Sequence, residues 1–183
     1  MKPYRIAVIA GDGIGTEVVP EGLRVLEAVG SRFDISFSFD ELDWGCARFQ
    51  QTGRFLPEDG MESIKGHDAI FLGAVGFPGV PDHISLWGLL IPLRRVMKQW
   101  VNLRPVRLMP GVTTPLRDRD PDDIDFVVVR ENSEGEYSDM GGRFDEGTED
   151  ERVEQLTIFT RKGVDRIIRY AFEMANSRPK KHL

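Results

Sequence analysis

Cysteine is almost missing from this 183-residue chain. The one thiol, Cys46, has no partner for an internal disulfide and cannot build a cysteine metal cluster, which suits a reducing, cytoplasmic setting. Long apolar runs are missing too. Those around Arg5–Ala10 and Phe126–Val129 have the length of buried strands and fall far short of the roughly 20 residues that cross a bilayer. No stretch reads as a signal peptide, so no membrane partner is expected. Nor is positive charge in excess: 24 Lys and Arg stand against 30 Asp and Glu, a net charge of −6, which argues against a nucleic-acid partner. Internal repeats and low-complexity tracts are absent. The length suits one domain or slightly more, with room for a sizeable core.

The basic residues that are present concentrate between Leu93 and Arg107, where Arg94, Arg95, Lys98, Arg104 and Arg107 are interleaved with apolar residues. Leu93, Val96, Met97 and Trp100 recur at helical spacing, which predicts a short helix opened by Pro92, with Arg94, Arg95 and Lys98 off its buried face. Val101–Val106 reads as the strand that follows, and Pro105 biases Arg104 toward an extended backbone. Because the planar guanidinium donates two parallel hydrogen bonds to a carboxylate, arginines delivered from a helix and the next strand make a candidate anion site. A solvated basic helix face beside an ordinary strand fits these residues equally well.

Upstream, Tyr4–Ala10, then Gly11-Asp12-Gly13-Ile14-Gly15-Thr16, then a helical pattern read as strand, glycine turn and helix. Val18, Val19, Leu23, Val25, Leu26 and Val29 form the predicted buried face, and Gly30 the predicted end. The glycine spacing is G-x-G-x-G, not the G-x-G-x-x-G of a dinucleotide loop, which favours a tight turn without a pyrophosphate. Phe33–Asp40 alternates as a half-exposed strand with Phe33, Ile35, Phe37 and Phe39 inward, and a short helix is expected from Leu56 through Ile64. Asp68–Leu72 reads as a buried strand ending in Gly73-Ala74-Val75-Gly76. This alternation predicts an α/β fold with a largely parallel sheet, in which ligands collect at the carboxyl ends of strands, where both glycine turns fall.

Residues 77–88 read as a loop leading into the arginine helix, with His83 either a base or, as the commoner case, a loop hydrogen-bonder. Pro115–Asp123 is a solvated linker whose acids are a weak metal candidate. Ile124–Val129 is a third predicted buried strand, followed by the polar turn Arg130–Tyr137, a loop or exposed hairpin over Gly141–Asp150, and a returning strand over Val153–Thr160. The last element is a helix, Arg161–Ala175, with Val164, Ile167, Ile168, Ala171, Phe172 and Ala175 inward.

With Gly11-Asp12-Gly13-Ile14-Gly15, Gly73-Ala74-Val75-Gly76, Leu93-Arg94 followed by Asn102-Leu103-Arg104-Pro105, and Arg130 with Tyr137, the chain resembles the β-decarboxylating dehydrogenases of 2-hydroxy acids. That family includes the isopropylmalate, isocitrate, D-malate and tartrate dehydrogenases, and the pieces occur in its order across essentially the whole chain. The resemblance implies an isopropylmalate dehydrogenase-like α/β fold, incomplete at its C-terminus. Residues 1–99 would form the first part of a large domain and 100–183 part of a second, substrate-binding and dimerisation domain. It also implies that Arg94, Arg104 and Arg130 hold the carboxylates of a small 2-hydroxy dicarboxylic acid, with Leu90 beside it. Tyr137 would donate a proton in the decarboxylation half of the reaction, and Gly73, Ala74, Val75 and Gly76 would lie at the nicotinamide end of NAD. Mn²⁺ or Mg²⁺ would polarise the carbonyl formed at C2, in a homodimer. The family's adenosine site does not use a Rossmann loop, in keeping with the glycine spacing.

Within the family, Val80–Leu90 and Arg130–Tyr137 are similar to the tartrate and D-malate branch. Isopropylmalate enzymes carry an acidic residue where Trp87 stands, and isocitrate enzymes a serine and an asparagine where Gly88 and Leu90 stand. The family's catalytic lysine, metal-binding aspartates and adenosine segment would lie beyond Leu183, so these residues alone are expected to be inactive. Isopropylmalate dehydrogenase, and a non-catalytic carboxylate-binding or interaction module, are the alternatives.

Overall fold

A computed structural model describes residues 3–183, and the chain divides into two compact units, Met1–Met97 and Lys98–Leu183. The first is built on β1 (Tyr4–Gly11), whose Ile6, Ala7, Val8 and Ile9 are all buried, as both faces of a central parallel strand must be. β2 (Phe37–Glu41) and β3 (Ala69–Ala74) flank it in the order β2-β1-β3, both parallel to it. Ile6 and Val8 pack with Val19 and Leu23 of α1 (Gly15–Phe33) and with Phe37, Phe39 and Phe71. Ala7 and Ile9 alternate to the other face and join Trp44, Cys46, Phe55, Ile64, Leu89 and Leu93. That second layer comes from α2 (Cys46–Thr52), α3 (Gly60–Ser63) and a helical run from Asp82 to Val96.

The run has three segments: α4 (Asp82–Ser85), a π-helical turn over Leu86–Leu90, and α5 (Ile91–Val96). Pro92 has no N–H for the ladder, and just before it the Ile91 N–H reaches the Leu86 carbonyl instead of bonding four residues back. Residues 82–88 are therefore helical, and the loop expected over 77–88 is confined to its first half. At the other end α5 stops at Val96, and Lys98 turns left-handed (φ 53°), so Trp100 does not continue the helical face predicted for it.

α1 and β2 also depart from the spans expected of them. α1 does not stop at Gly30; it runs on to Phe33 and ends where Asp34 adopts φ 55° and the Gly30 carbonyl accepts the Asp34 and Ile35 N–H groups. Gly30 is needed for that close return, since a Cβ there would sit 2.7 Å from the Ile35 oxygen. Phe33 consequently belongs to the helix and is exposed, and the predicted strand shortens to Phe37–Glu41. On α1, Val18 and Val25 also point outward.

In the second unit β4 (Val101–Arg107) pairs antiparallel with β5 (Asp125–Glu131), and β6 (Gly141–Phe144) with β7 (Arg152–Gln155). The returning strand expected over 153–160 is limited to β7 and one bridge, Gly135 to Ile158. α6 (Arg161–Ser177) packs on β5, and Thr160 caps it by accepting the Gly163 N–H at 3.0 Å. Its Ile168 and Phe172 are exposed, as are Phe126 and Val128 of β5, so neither element is buried as fully as its apolar pattern predicts. Among the described residues, no helix is long and apolar enough to cross a membrane.

Candidate active site

The β4–β5 register places Asn102 opposite Arg130 and Arg104 opposite Val128. Residues opposite one another in an antiparallel pair share a face, so Arg104 and Arg130 project from the same face as diagonal neighbours, a separation of about 7–8 Å between backbones. α6 lies against the other face. There Arg166 donates to Glu131 at 3.0 Å, and Arg178 donates to Asp125 at 2.7 Å and holds its carboxyl below the usual range. The arginine face is thus left uncovered within this unit, and Phe126 and Val128 owe their exposure to lying on it.

Tyr137 joins this face through Arg130, whose guanidinium donates to the phenolic oxygen and lies 5.1 Å from the ring centroid. The turn between them is pinned from several sides. Glu131 accepts from the Ser133 N–H (2.8 Å), the Ser133 hydroxyl (2.7 Å) and the Glu134 N–H (2.6 Å). Glu134 in turn accepts from the Thr160 N–H at 2.8 Å and its hydroxyl at 2.7 Å, tying the turn to the start of α6. Gly135 takes φ +72° and donates to the Ile158 carbonyl at 2.9 Å, with the Phe159 ring filling the space a Cβ would need. Asn132, buried, donates from its backbone to the Trp100 carbonyl and from its amide to the Gln99 carbonyl. Burial pushes the Glu131 carboxyl up, but the hydrogen bonds from Ser133, Glu134 and Arg166 together outweigh it and hold it below its ordinary value.

The other predicted site residues belong to the first unit. Leu90 and Arg94 are half-buried, one at the end of the π turn and the other on α5, four positions apart along the same helical run. Arg95 is exposed, and its guanidinium lies 5.0 Å from the centroid of the Trp87 ring. His83 is exposed on α4.

Residues 5–183 match the isocitrate/isopropylmalate dehydrogenase family. The chain belongs to that family. A D-malate dehydrogenase (decarboxylating) of Escherichia coli (strain K12) is 58% identical over 185 residues, covering 100% of this chain and 51% of that protein. A tartrate dehydrogenase/decarboxylase of Pseudomonas putida is 55% identical, covering 98% of this chain and 50% of its own. Among solved structures, an isocitrate dehydrogenase from Methylococcus capsulatus superposes with a TM-score of 0.78 at 31% identity, over 95% of this chain and 48% of that one. The chain therefore spans about half the length of the curated relatives it matches.

In this family member the glycines at the carboxyl edge of the sheet divide into two kinds. Gly11, Gly15 and Gly73 serve packing: a Cβ on them would come within 2.0 to 2.3 Å of the Ala74 or Ala10 carbonyl oxygens, so β1, β3 and the start of α1 could not approach. Gly76 (φ +148°) and Gly79 (φ +93°) instead face open space, with nothing within 4 Å of where a Cβ would stand. Bare backbone next to the half-buried Ala74 and Val75 is a surface a flat nicotinamide ring can approach, so this turn fits the group. The divalent ion does not fit. Among the described residues no group of three His, Cys, Asp or Glu could hold a metal, and the acids of the 115–123 linker do not gather.

Four supporting residues, Asp12, Glu131, Glu134 and Arg166, carry little signal in the sequence. Glu131 carries a weak signal, a carboxylate ending an apolar strand, and Asp12 another, an acid between two glycines at the end of a buried strand.

Proposed function

We propose that this chain carries part of the active site of an NAD-dependent, decarboxylating dehydrogenase of a small 2-hydroxy dicarboxylic acid, D-malate or tartrate. The supporting observation is the diagonal placement of Arg104 and Arg130 on one strand face with the Tyr137 hydroxyl bonded to Arg130, in a chain 58% identical to a D-malate dehydrogenase. Two guanidinium forks on side chains that leave one strand face from backbones about 7–8 Å apart suit the two carboxylates of a small diacid. The first unit is part of a larger cofactor-binding domain, and the second is part of a substrate and dimerisation domain in a cytoplasmic homodimer.

The turn Gly73–Gly76 would hold the nicotinamide end of NAD, which when bound would supply the hydride acceptor. Loss of hydride from C2, together with passage of the C2 hydroxyl proton to a general base, leaves a 2-keto acid. When the carboxylate on the neighbouring carbon departs as carbon dioxide, its bonding electrons pass toward C2 and an enolate results. The arginines hold both carboxylates while this happens and keep the departing one aligned. Tyr137 then protonates the carbon that lost carbon dioxide. Its contact with Arg130 uses the phenolic oxygen as acceptor and does not consume the hydroxyl proton, and the guanidinium charge offsets the negative charge left behind. A metal of the Mn²⁺ or Mg²⁺ type requires ligands that these residues do not supply, and the 183-residue chain alone is inactive on this account.

The test is a product balance. The full-length protein, its intact mass confirmed, should form NADH and carbon dioxide in equal amounts from D-malate or tartrate when Mn²⁺ is present. Preference for isopropylmalate in the same panel would move the protein to that branch, and no NADH from any of the three would refute the proposal.

A further inference from the structure

One buried acid takes no part in the chemistry above. Asp12 is 4% exposed, yet its carboxylate is bonded on both oxygens. Oδ1 accepts from the Cys46 N–H at 2.8 Å and the Ala47 N–H at 3.2 Å, and Oδ2 accepts from the Cys46 N–H at 3.0 Å and the Gly76 N–H at 3.2 Å. Its own backbone N–H donates to the Ala74 carbonyl at 2.7 Å. The Asp12 side chain therefore joins three segments at the carboxyl edge of the parallel sheet: the turn after β1, the first residues of α2, and the turn after β3. Gly45 shows how closely α2 is drawn in, since a Cβ there would stand 2.8 Å from Oδ1. Of these partners, Gly76 is the one that lies in the turn after β3, and it has open space where a Cβ would stand. Its N–H is held by the Asp12 carboxylate, within the turn assigned to the nicotinamide.

Resting on the function proposed above, we infer that Asp12 is a positioning residue for the nicotinamide end of the cofactor, acting through the Gly76 N–H that its carboxylate holds. A charged acceptor is required because one side chain must take N–H groups from two directions at once. An asparagine keeps the shape but replaces one acceptor oxygen with an amide that donates, so either α2 or Gly76 loses its partner.

The experiment compares NAD with ADP-ribose, which keeps the adenosine and pyrophosphate but lacks the nicotinamide. In the full-length protein, calorimetric titration of Asp12→Asn should show NAD affinity weakened about tenfold, with ADP-ribose affinity unchanged. The NAD KM should rise by a similar factor while the KM for D-malate stays put. Asp12→Glu, which keeps the charge on a longer arm, should recover part of the loss. Equal weakening of NAD and ADP-ribose would make Asp12 a general support of the domain and overturn the inference, as would unchanged NAD affinity or the failure of both variants to fold. A wild-type protein that binds no NAD would instead refute the function itself.

Discussion

Replacing Glu131 by glutamine tests how the turn that carries Arg130 and Tyr137 is held. Oε2 takes the Ser133 and Glu134 N–H groups, and Oε1 takes the Ser133 hydroxyl and Arg166. A glutamine can leave its oxygen on the two backbone donors and turn its amide nitrogen toward Arg166. The Ser133 hydroxyl can rotate to accept from that nitrogen, but Arg166 loses a charged acceptor it cannot replace. The expected cost is one hydrogen bond between charged groups in a side chain only 12% exposed, about 1.5–3 kcal/mol. Urea unfolding followed by circular dichroism measures it. Its pH dependence is a second reading. Because the folded carboxyl titrates below its ordinary 4.5, the Glu131 contribution is complete above that value and is lost as pH falls through the folded pKa. The gap between wild type and Glu131→Gln should be full at neutral pH and close only in acid. A gap under about 0.5 kcal/mol at neutral pH, or one that persists unchanged in acid, would refute the reasoning.

Other outcomes follow from neighbouring contacts. Thr160→Ala removes the cap of α6 and one of the two Thr160 hydrogen bonds to Glu134, and should cost roughly 1–2 kcal/mol in the same unfolding assay. Tyr137→Phe should slow carbon dioxide release more than hydride transfer, so that 2-keto acid accumulates during D-malate turnover; carbon dioxide formed at the wild-type rate would remove Tyr137 from the protonation step. Gly73→Ala should destabilise the first unit, since the new methyl would meet the Ala10 carbonyl at 2.3 Å, and an unchanged melting temperature would show that β1 and β3 can separate there.

What could be read from the chain beforehand follows a physical line. β1 was legible because a strand buried on both faces needs an unbroken apolar run, and Ile6–Ile9 supplies one. The end of α1 is misleading in sequence because Gly30 looks like a stop signal, whereas it is kept small by the return of Ile35 onto the helix. α2 was not anticipated at all. Seven residues are too few for a periodic signal, and its first turn is set by Asp12, 34 positions away. The arginines could be picked out by type, and their roles followed from family resemblance, but the pairing of Arg104 with Arg130 depends on the β4–β5 register, which no local pattern specifies. The support beneath Arg130 was invisible for the same reason: Glu131 and Arg166 are 35 residues apart.

The measurement closest to the central claim is kcat/KM for D-malate in the full-length Arg104→Lys variant, which keeps the charge on β4 but loses the fork that a carboxylate engages. If the β4–β5 face holds the substrate, kcat/KM should fall by about 1–3 kcal/mol in transition-state binding, roughly five- to 150-fold, with the melting temperature unchanged because Arg104 is exposed. A variant that turns over D-malate as efficiently as the wild type would contradict the account.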